Sequence, residues 1–221
     1  MGDSEIQQPD LTSPGWFGDV AAWWGPALRS EGFAARVEPL GVDAQMRLHV
    51  LCESPAWRTQ LQLLGKPVVT RINEIVPEAR LTGLLARVRP RVLVLVVATD
   101  GFADEQLVAD VLLETCYDVI EAFGPEHQVA LQVLGESAFD HHVVRWAAAH
   151  TAATAGVSAP LYGMLHLPDH AEHGEGATWA RDREVIAQGP QLCLAFCTPD
   201  APLPAIAQLA TGAGIPVRRL G

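Results

Sequence analysis

The sequence predicts a small α+β domain followed by an α/β domain that is built on a five-stranded parallel β-sheet. In residues 90–221, five short apolar runs alternate with four amphipathic helical patterns, which is the order of a doubly wound parallel sheet. In residues 44–52, apolar and polar residues alternate, which indicates a half-buried strand and hence a different plan. We therefore expect an N-terminal tail over 1–15, a first domain over 16–89 and a second domain over 90–221.

The first domain opens with aromatic and aliphatic residues at helical spacing. They predict a helix over 16–31 with an apolar face formed by Trp16, Val20, Trp23, Trp24, Ala27 and Leu28. The alternation in 44–52 then places four side chains on the buried face of an antiparallel strand, namely Met46, Leu48, Val50 and Cys52. The segment "ARLTGLLARV", residues 79–88, closes the domain as another strand.

The main helix of this domain begins directly after the strand. Ser54 is a suitable N-cap, and Pro55 suits the first helical position because the N–H that it lacks would have no helical partner there. An apolar stripe predicts the buried side of the helix, formed by Trp57, Leu61, Leu64, Val68, Ile72 and Ile75. Pro67 lies inside the stripe, so we expect it to kink the helix or to split it into two.

The second domain follows a regular alternation of strands and helices. The continuous apolar run "RVLVLVVAT", residues 91–99, is typical of a strand that is buried on both faces. Asp104 is expected to cap a helix that runs to Phe123, with a buried side near Leu107, Val111, Cys116, Val119 and Ile120. The remaining strands are predicted at 127–134, 160–167, 191–197 and 215–220. The remaining helices are predicted at 139–155, 177–188 and 202–212.

Charge is distributed unevenly along the chain, whose formal net charge is −11. Residues 1–89 carry nine Lys and Arg against ten Asp and Glu, whereas residues 90–221 carry six against sixteen. Residues 54–89 form a basic island, with six basic and two acidic side chains. Because an acidic surface repels phosphate, nucleic acid can contact only this island. Its main helix carries cations that suit DNA or an acidic partner, with a solvated helix face as the alternative: Arg58, Lys66 and Arg71.

Composition excludes several classes of protein. The longest apolar run, "VLVLVVA" at 92–98, is too short to cross a bilayer, and the acidic N-terminus is unlike a signal or transit peptide. The four cysteines show no CxxC spacing and lie within apolar patterns, which is typical of buried thiols in a reducing compartment. We expect a soluble cytoplasmic protein with no membrane partner.

The first domain carries a recognisable series of motifs. "WWG" at 23–25 precedes the alternating strand, "ESPAWRTQLQLL" at 53–64 and "VVTRINEIVP" at 68–77. This series resembles the DciA family of loaders or recruiters of the DnaB-type replicative helicase, and the residues shared with the family are Ser54, Ala56, Trp57, Thr59, Gln60, Leu61, Arg71 and Ile72. The resemblance covers roughly 16–85 and implies a KH-type fold and helicase contact. It implies partner contact at the shared residues Trp57 and Gln60, with burial in the core as the alternative for Trp57. Together with the cations Arg58, Lys66 and Arg71, these residues form the expected site of partner or nucleic-acid contact.

The family resemblance implies less about DNA. Val20 stands where family members usually carry a tryptophan, and the basic tail of many members is missing. We therefore expect weak or no direct DNA binding.

The second domain resembles the SLOG superfamily, nearest to its YpsA-related branch. The segments that carry the resemblance are "RVLVLVVATDGFADE" (91–105), "LGESAFDHHVVRWAA" (134–148), "RDREV" (181–185), "LCLAF" (192–196) and "AGIPV" (213–217). It implies a Rossmann-like fold with a nucleotide site at the carboxyl edge of the sheet. A residual ligand site would therefore comprise Asp100, Gly101, Gly135, Asp140, Arg181 and Arg183, with helix capping as the alternative for its charged members.

The loops that would hold phosphate in such a domain have lost glycines and gained carboxylates. The first reads "ATDG", the second "GESAFD" and the third "CTPDAPLP". Since phosphate binding needs close backbone N–H groups, these loops predict that the site no longer binds phosphate and needs no cofactor.

The sequence thus predicts a non-enzymatic adaptor of DNA replication that binds the DnaB-type helicase, with a second domain that serves as a platform or dimerises. The alternative is a SLOG-type nucleotide-binding protein or a hydrolase of nucleotides or nucleoside monophosphates. The segment "HLPDHAEH" contains His166, His170 and His173, which could bind zinc, with a solvated loop as the alternative. We predict the solvated loop, with no metal and no catalytic residues.

Overall fold

The computed structural model describes residues 10–153 and 161–221. These residues form two compact units, of which the first ends at Arg89 and the second begins at Pro90. No helix in the described ranges is both long and apolar enough to cross a membrane. All four cysteines are free thiols and lie buried, as their apolar surroundings predicted.

The first unit is a three-stranded mixed sheet covered by helices. Its helices are α1 (Val20–Leu28), α2 (Glu31–Ala34) and α3 (Pro55–Ile75), and its strands are β1 (Val37–Val42), β2 (Arg47–Cys52) and β3 (Gly83–Val88). The central strand β2 pairs with β1 in the antiparallel sense and with β3 in the parallel sense. The core between sheet and helices includes Trp23, Trp24, Leu48, Val50, Leu61 and Ile72.

The predicted helix over 16–31 is wrong, because the chain there forms three shorter pieces. Residues Gly15–Gly18 make a single 3₁₀ turn, and Asp19 then caps α1 by accepting a hydrogen bond from the Ala22 N–H. Arg29 ends α1 in the left-handed conformation (φ 54°), and Ser30 caps α2. The aromatic spacing therefore predicted the buried side, but not the two breaks.

The predicted strand over 44–52 differs from β2 in length and in surroundings. A turn in which the Met46 N–H donates to the Asp43 carbonyl delays the start of β2 to Arg47. The antiparallel pairing predicted for this strand is confirmed by β1, although β3 pairs with its other edge in the parallel sense. His49 and Leu51 on its other face are also buried, so the expectation that the strand is half-buried is wrong. The antiparallel partner β1 was not predicted at all.

Helix α3 is continuous, so Pro67 does not split it. Ser54 caps it, with the Trp57 N–H donating to the Ser54 Oγ at 3.5 Å, and Pro55 occupies its first turn, as predicted. Ile75 is 43% exposed because the helix ends there and the chain turns away, so this end of the predicted stripe is wrong.

The second unit contains the predicted five-stranded parallel sheet, with strand order β6-β5-β4-β7-β8. Its strands are β4 (Arg91–Ala98), β5 (Gln128–Val133), β6 (Leu161–Leu165), β7 (Leu192–Phe196) and β8 (Val217–Leu220). Its helices are α4 (Glu105–Phe123), α5 (Ala138–Ala153), α6 (His170–His173), α7 (Ala177–Ala187) and α8 (Ala205–Gly212). The far end of the helix predicted at 139–155 and the start of the strand predicted at 160–167 lie outside the described residues.

Helices cover both faces of this sheet, as expected of a doubly wound fold. Helices α4 and α5 pack on one face around Val94, Leu112, Leu131, Val143 and Leu194. Helices α7 and α8 pack on the other face around Leu95, Val185, Cys193, Ile206 and Ala207. The loops after β4 and β7 lead to helices on opposite faces, and ligands of such sheets bind in the crevice between loops of this kind.

Candidate partner-binding surface

Helix α3 is held in the first unit by one buried side. Leu61, Val68 and Ile72 are fully buried against the sheet. Trp57 is partly buried, and its ring stacks on Phe33 of α2 with centroids 5.3 Å apart and planes 28° from parallel. Trp57 therefore joins the start of α3 to α2, and little of its indole remains available to a partner.

The opposite side of α3 faces solvent. Arg58, Gln60 and Lys66, which the sequence indicated as contact residues, are exposed there. Leu63 is 79% exposed, which makes it the most exposed large hydrophobic residue in the described part of the chain. Leu63 was not predicted, because the expected contact residues were taken from the cations and the family motif of this helix. The available signal was its position off the stripe, one residue before Leu64 and two after Leu61.

An open groove of about 570 Å³ runs beside the second half of α3. Lys66, Pro67, Thr70, Arg71 and Glu74 line it from the helix, and Arg29 lines it from the end of α1. Arg29 also was missed, because only the packing of α1 against α3 brings it to this place.

The groove is electropositive. It holds three cations against the single carboxylate of Glu74, and none of these groups forms an ion pair within the described residues. The Arg71 Nε donates to the Pro67 carbonyl at 3.0 Å, which holds the guanidinium along the helix. We name the exposed side chain of Leu63 together with this groove the α3 surface.

The only strongly shifted carboxyl group described in the first unit lies elsewhere. Asp43 Oδ1 accepts the N–H groups of Gln45 and Arg47, and Oδ2 accepts the Arg47 Nε and lies 3.0 Å from His49 Nε2. Burial would raise the pKa of Asp43, but the hydrogen bonds from His49 and Arg47 outweigh it and hold that pKa well below its usual range. Because its oxygens are all occupied within the β1–β2 turn, Asp43 stabilises that turn.

In the second unit, the residues proposed for a residual ligand site lie near the carboxyl edge of the sheet. Asp100 and Gly101 are exposed in the turn after β4, where Gly101 adopts a φ of 78°. The Thr198 N–H donates to Thr99 Oγ1 at 3.0 Å, which joins this turn to the loop after β7. The crevice between the two loops is therefore bridged.

Aromatic rings fill the space beneath these loops. The ring of Phe102, which follows the turn, packs on Phe139 and Phe196 with centroids 6.2 and 5.5 Å away. Phe139 and Phe196 pack on each other at 5.5 Å. Phe102 and Phe139 are only partly buried, and both pack against the core on the α4–α5 face of the sheet.

The charged members of the proposed site are engaged by neighbouring groups. Asp140 is buried at the start of α5, where its Oδ2 accepts the N–H groups of Glu136 and Ser137 and the Ser137 hydroxyl. The Asp140 N–H donates back to Ser137 Oγ at 3.1 Å, so the two residues form a reciprocal helix cap.

Arg181 is buried as well. It contacts Asp182 at 2.7 Å and Glu136 at 2.8 Å, and it also donates to the Leu134 carbonyl. Burial would lower the pKa of Arg181, but these two carboxylates raise it. Arg183 faces solvent and lies over the ring of Trp179, 4.7 Å from its centroid.

Gly135 marks a close approach rather than an open phosphate cradle. Its φ is 75°, and a Cβ added there would lie 2.6 Å from Leu167 Cδ2. The structure thus brings Gly135, Asp140 and Arg181 to one end of the sheet. The polar side chains of Asp140 and Arg181 are bound there by neighbouring residues of the chain.

The three histidines of the polar loop do not converge on a metal site. His166 Nε2 lies 3.3 Å from Gln132 Nε2, and His170 Nδ1 lies 3.3 Å from the Gly174 carbonyl. Burial lowers the pKa of His166, although Glu184 opposes this. Among residues 10–153 and 161–221, no group of three His, Cys, Asp or Glu side chains has the spacing of a metal site.

Comparison with known proteins bears on the first unit. Residues 26–86 match the family model described as "Dna[CI] antecedent, DciA". The matched range contains all of α3 and every residue of the α3 surface, from Arg29 to Glu74. The resemblance that the sequence indicated for the first half of the chain is therefore confirmed.

A curated relative points the same way. The chain is 40% identical over 70 residues to a "UPF0232 protein" of Streptomyces avermitilis. The alignment covers 29% of this chain and 38% of that protein. The chain thus spans well under half the length of the relative that it matches.

Proposed function

We propose that this protein is a non-enzymatic adaptor of DNA replication whose first unit binds the DnaB-type replicative helicase and recruits, loads or modulates it in the cytoplasm. The match of residues 26–86 to the DciA family carries this proposal, because that family is known for loading the DnaB-type helicase. The exposed side of α3 supports it, since helix faces that present an apolar residue among charged ones are common at protein interfaces.

The order of elements in the first unit agrees with a KH-like domain. In KH domains a GXXG loop clamps the nucleic-acid backbone. The segment between β2 and β3 has no such loop, because α3 runs unbroken from Pro55 to Ile75 and its one glycine is Gly65. We therefore propose that the helicase, rather than DNA, is the principal partner of this unit.

For the second unit we propose a SLOG-like platform that supports partner binding or forms a homodimer. The parallel sheet fits this fold, and the aromatic filling of the crevice argues for a scaffold. The alternative, a nucleotide-binding protein or hydrolase, finds less support. Catalysis on phosphates needs preorganised donors, and Arg181 is already paired with two carboxylates.

Titration calorimetry between the full chain and the DnaB-type helicase of the same cell tests the adaptor proposal. We expect binding at micromolar concentrations or below, in the absence of nucleic acid. A flat titration at those concentrations, with both proteins folded, would contradict it. Light scattering after size exclusion tests the homodimer, which a monomer mass at tens of micromolar would exclude.

A further inference from the structure

The exposed side of α3 joins an apolar residue to an unpaired basic groove. Leu63 is 79% exposed, and residues three and four positions further along a helix are its surface neighbours. Those neighbours, Lys66 and Pro67, line the groove. A single exposed leucine is ordinary on a protein surface. Here Leu63 lies at the rim of the charged groove, so a partner that occupies the groove would cover Leu63 as well.

The groove's charge indicates what it would bind. Arg29, Lys66 and Arg71 converge from two segments of the chain, and no carboxylate within the described residues pairs with any of them. Like charges that converge without partners repel each other in the free protein, so an acidic occupant relieves the repulsion. The occupant is therefore expected to carry carboxylates or phosphates.

The other lining groups favour carboxylates on a protein segment over nucleic acid. No aromatic ring among the lining residues is available for base stacking. Three cations also release few counterions on binding DNA, so the gain is small. Leu63, in contrast, needs an apolar partner, which a protein segment supplies.

We infer that the α3 surface binds an acidic segment of the helicase, with Leu63 inserted into an apolar pocket and the groove cations contacting the carboxylates. This inference rests on the proposed function for the identity of the partner. It adds which surface of this chain makes the contact and which chemistry the partner presents.

Calorimetric titration of variants of the full chain against the helicase tests the inference. Leu63→Ser and Lys66→Glu should each weaken binding by about tenfold or more, as expected for residues central to an interface. Both side chains are exposed, so the melting temperature should stay at that of the wild type. The matched controls are Leu113→Ser and Arg145→Glu, which make the same changes on exposed positions of the second unit and should leave binding within about twofold.

The outcomes separate the two proposals. If the wild-type chain does not bind the helicase, the proposed function fails, and this inference fails with it. If the wild type binds and Leu63→Ser and Lys66→Glu bind equally well, only the inference is overturned. A labelled oligonucleotide provides the third comparison: loss of oligonucleotide binding by Lys66→Glu, with helicase binding unchanged, would assign the groove to nucleic acid and would also overturn it.

Discussion

The substitution Trp57→Ala is expected to destabilise the first unit without removing a direct partner contact. Trp57 lies in the first turn of α3 and is partly buried, and its ring stacks on Phe33. The stacked pair is a principal connection between α2 and the start of α3. Removal of the indole therefore loosens the same helix that carries the α3 surface.

The magnitude follows from the buried area and the ring pair. A largely buried tryptophan removes about 100–150 Å² of apolar surface from water, which contributes about 3 kcal/mol at about 25 cal/mol per Å². The stacked pair adds about 1 kcal/mol. Since the denatured chain already buries part of this area, we expect a total loss of about 3 kcal/mol in the free energy of unfolding.

Hydrogen exchange followed by mass spectrometry on the full chain measures this loss locally. A loss of about 3 kcal/mol raises the opening equilibrium by about a hundredfold, so peptides within 26–86 should exchange correspondingly faster. Peptides within 161–221 serve as the internal control and should be unchanged. Trp57→Phe keeps an aromatic ring against Phe33, so it should cost about 1 kcal/mol.

A different pattern would refute the reasoning. If Trp57→Ala leaves exchange in 26–86 at the wild-type rate and still weakens helicase binding by tenfold or more, the indole is a contact residue and its packing role is minor. In that case the partner contact that the family resemblance implies for Trp57 is correct, and burial in the core is not its main role.

Buried ionisable groups give three further expected outcomes. The pKa of Asp43 is depressed in the folded chain, so the stability that Asp43 contributes is present above its unfolded pKa of about 3.9 and is lost as pH falls toward the lower folded pKa. In Asp43→Asn, the melting temperature should therefore fall less steeply with decreasing pH than in the wild type. Burial raises the pKa of Cys52 to about 11 and of Cys116 and Cys193 to about 12, so the folded chain should react slowly with a thiol reagent at pH 8 and all four thiols should react on unfolding. Arg181→Gln leaves the mostly buried carboxylate of Asp182 without its ion pair, so it should destabilise the second unit by about 3 kcal/mol. Hydrogen exchange in peptides of α7 should then be faster, and unchanged exchange would show that the ion pairs of Arg181 contribute little to stability.

The sequence predicted the second unit well because most of its strands contain a short apolar run between helical patterns. "RVLVLVVAT" differs from β4 by one residue at its end, and Asp104 caps α4 as expected. The strand β1 escaped prediction because Pro39 and Gly41 interrupt its pattern at the point where the register with β2 shifts. Neither residue favours a strand, and only the pairing with β2 imposes one.

The candidate surface was predicted only in part, and for a physical reason. Lys66 and Arg71 lie on one helix, so helical spacing was enough to place them near each other. Arg29 joins them only after α1 has packed on α3 and its end has taken the left-handed conformation, which no local pattern in "ALRSEG" specifies. Leu63 could have been predicted as exposed, because helical spacing places it outside the buried stripe although leucine is a residue that favours the core.

The packing of aromatic rings near the carboxyl edge of the second unit's sheet bears on its proposed role as a scaffold. The rings of Phe102 and Phe139, which lie near the carboxyl edge of the sheet, pack on the buried Phe196. Because both rings are only partly buried, moving either of them to admit a ligand would cost less than the about 2 kcal/mol of exposing a fully buried phenylalanine, which is less than about thirtyfold in affinity per ring. The rings also stabilise the sheet edge in the absence of a ligand. We therefore expect this edge of the sheet to be stable without a nucleotide, as the proposed scaffold role requires.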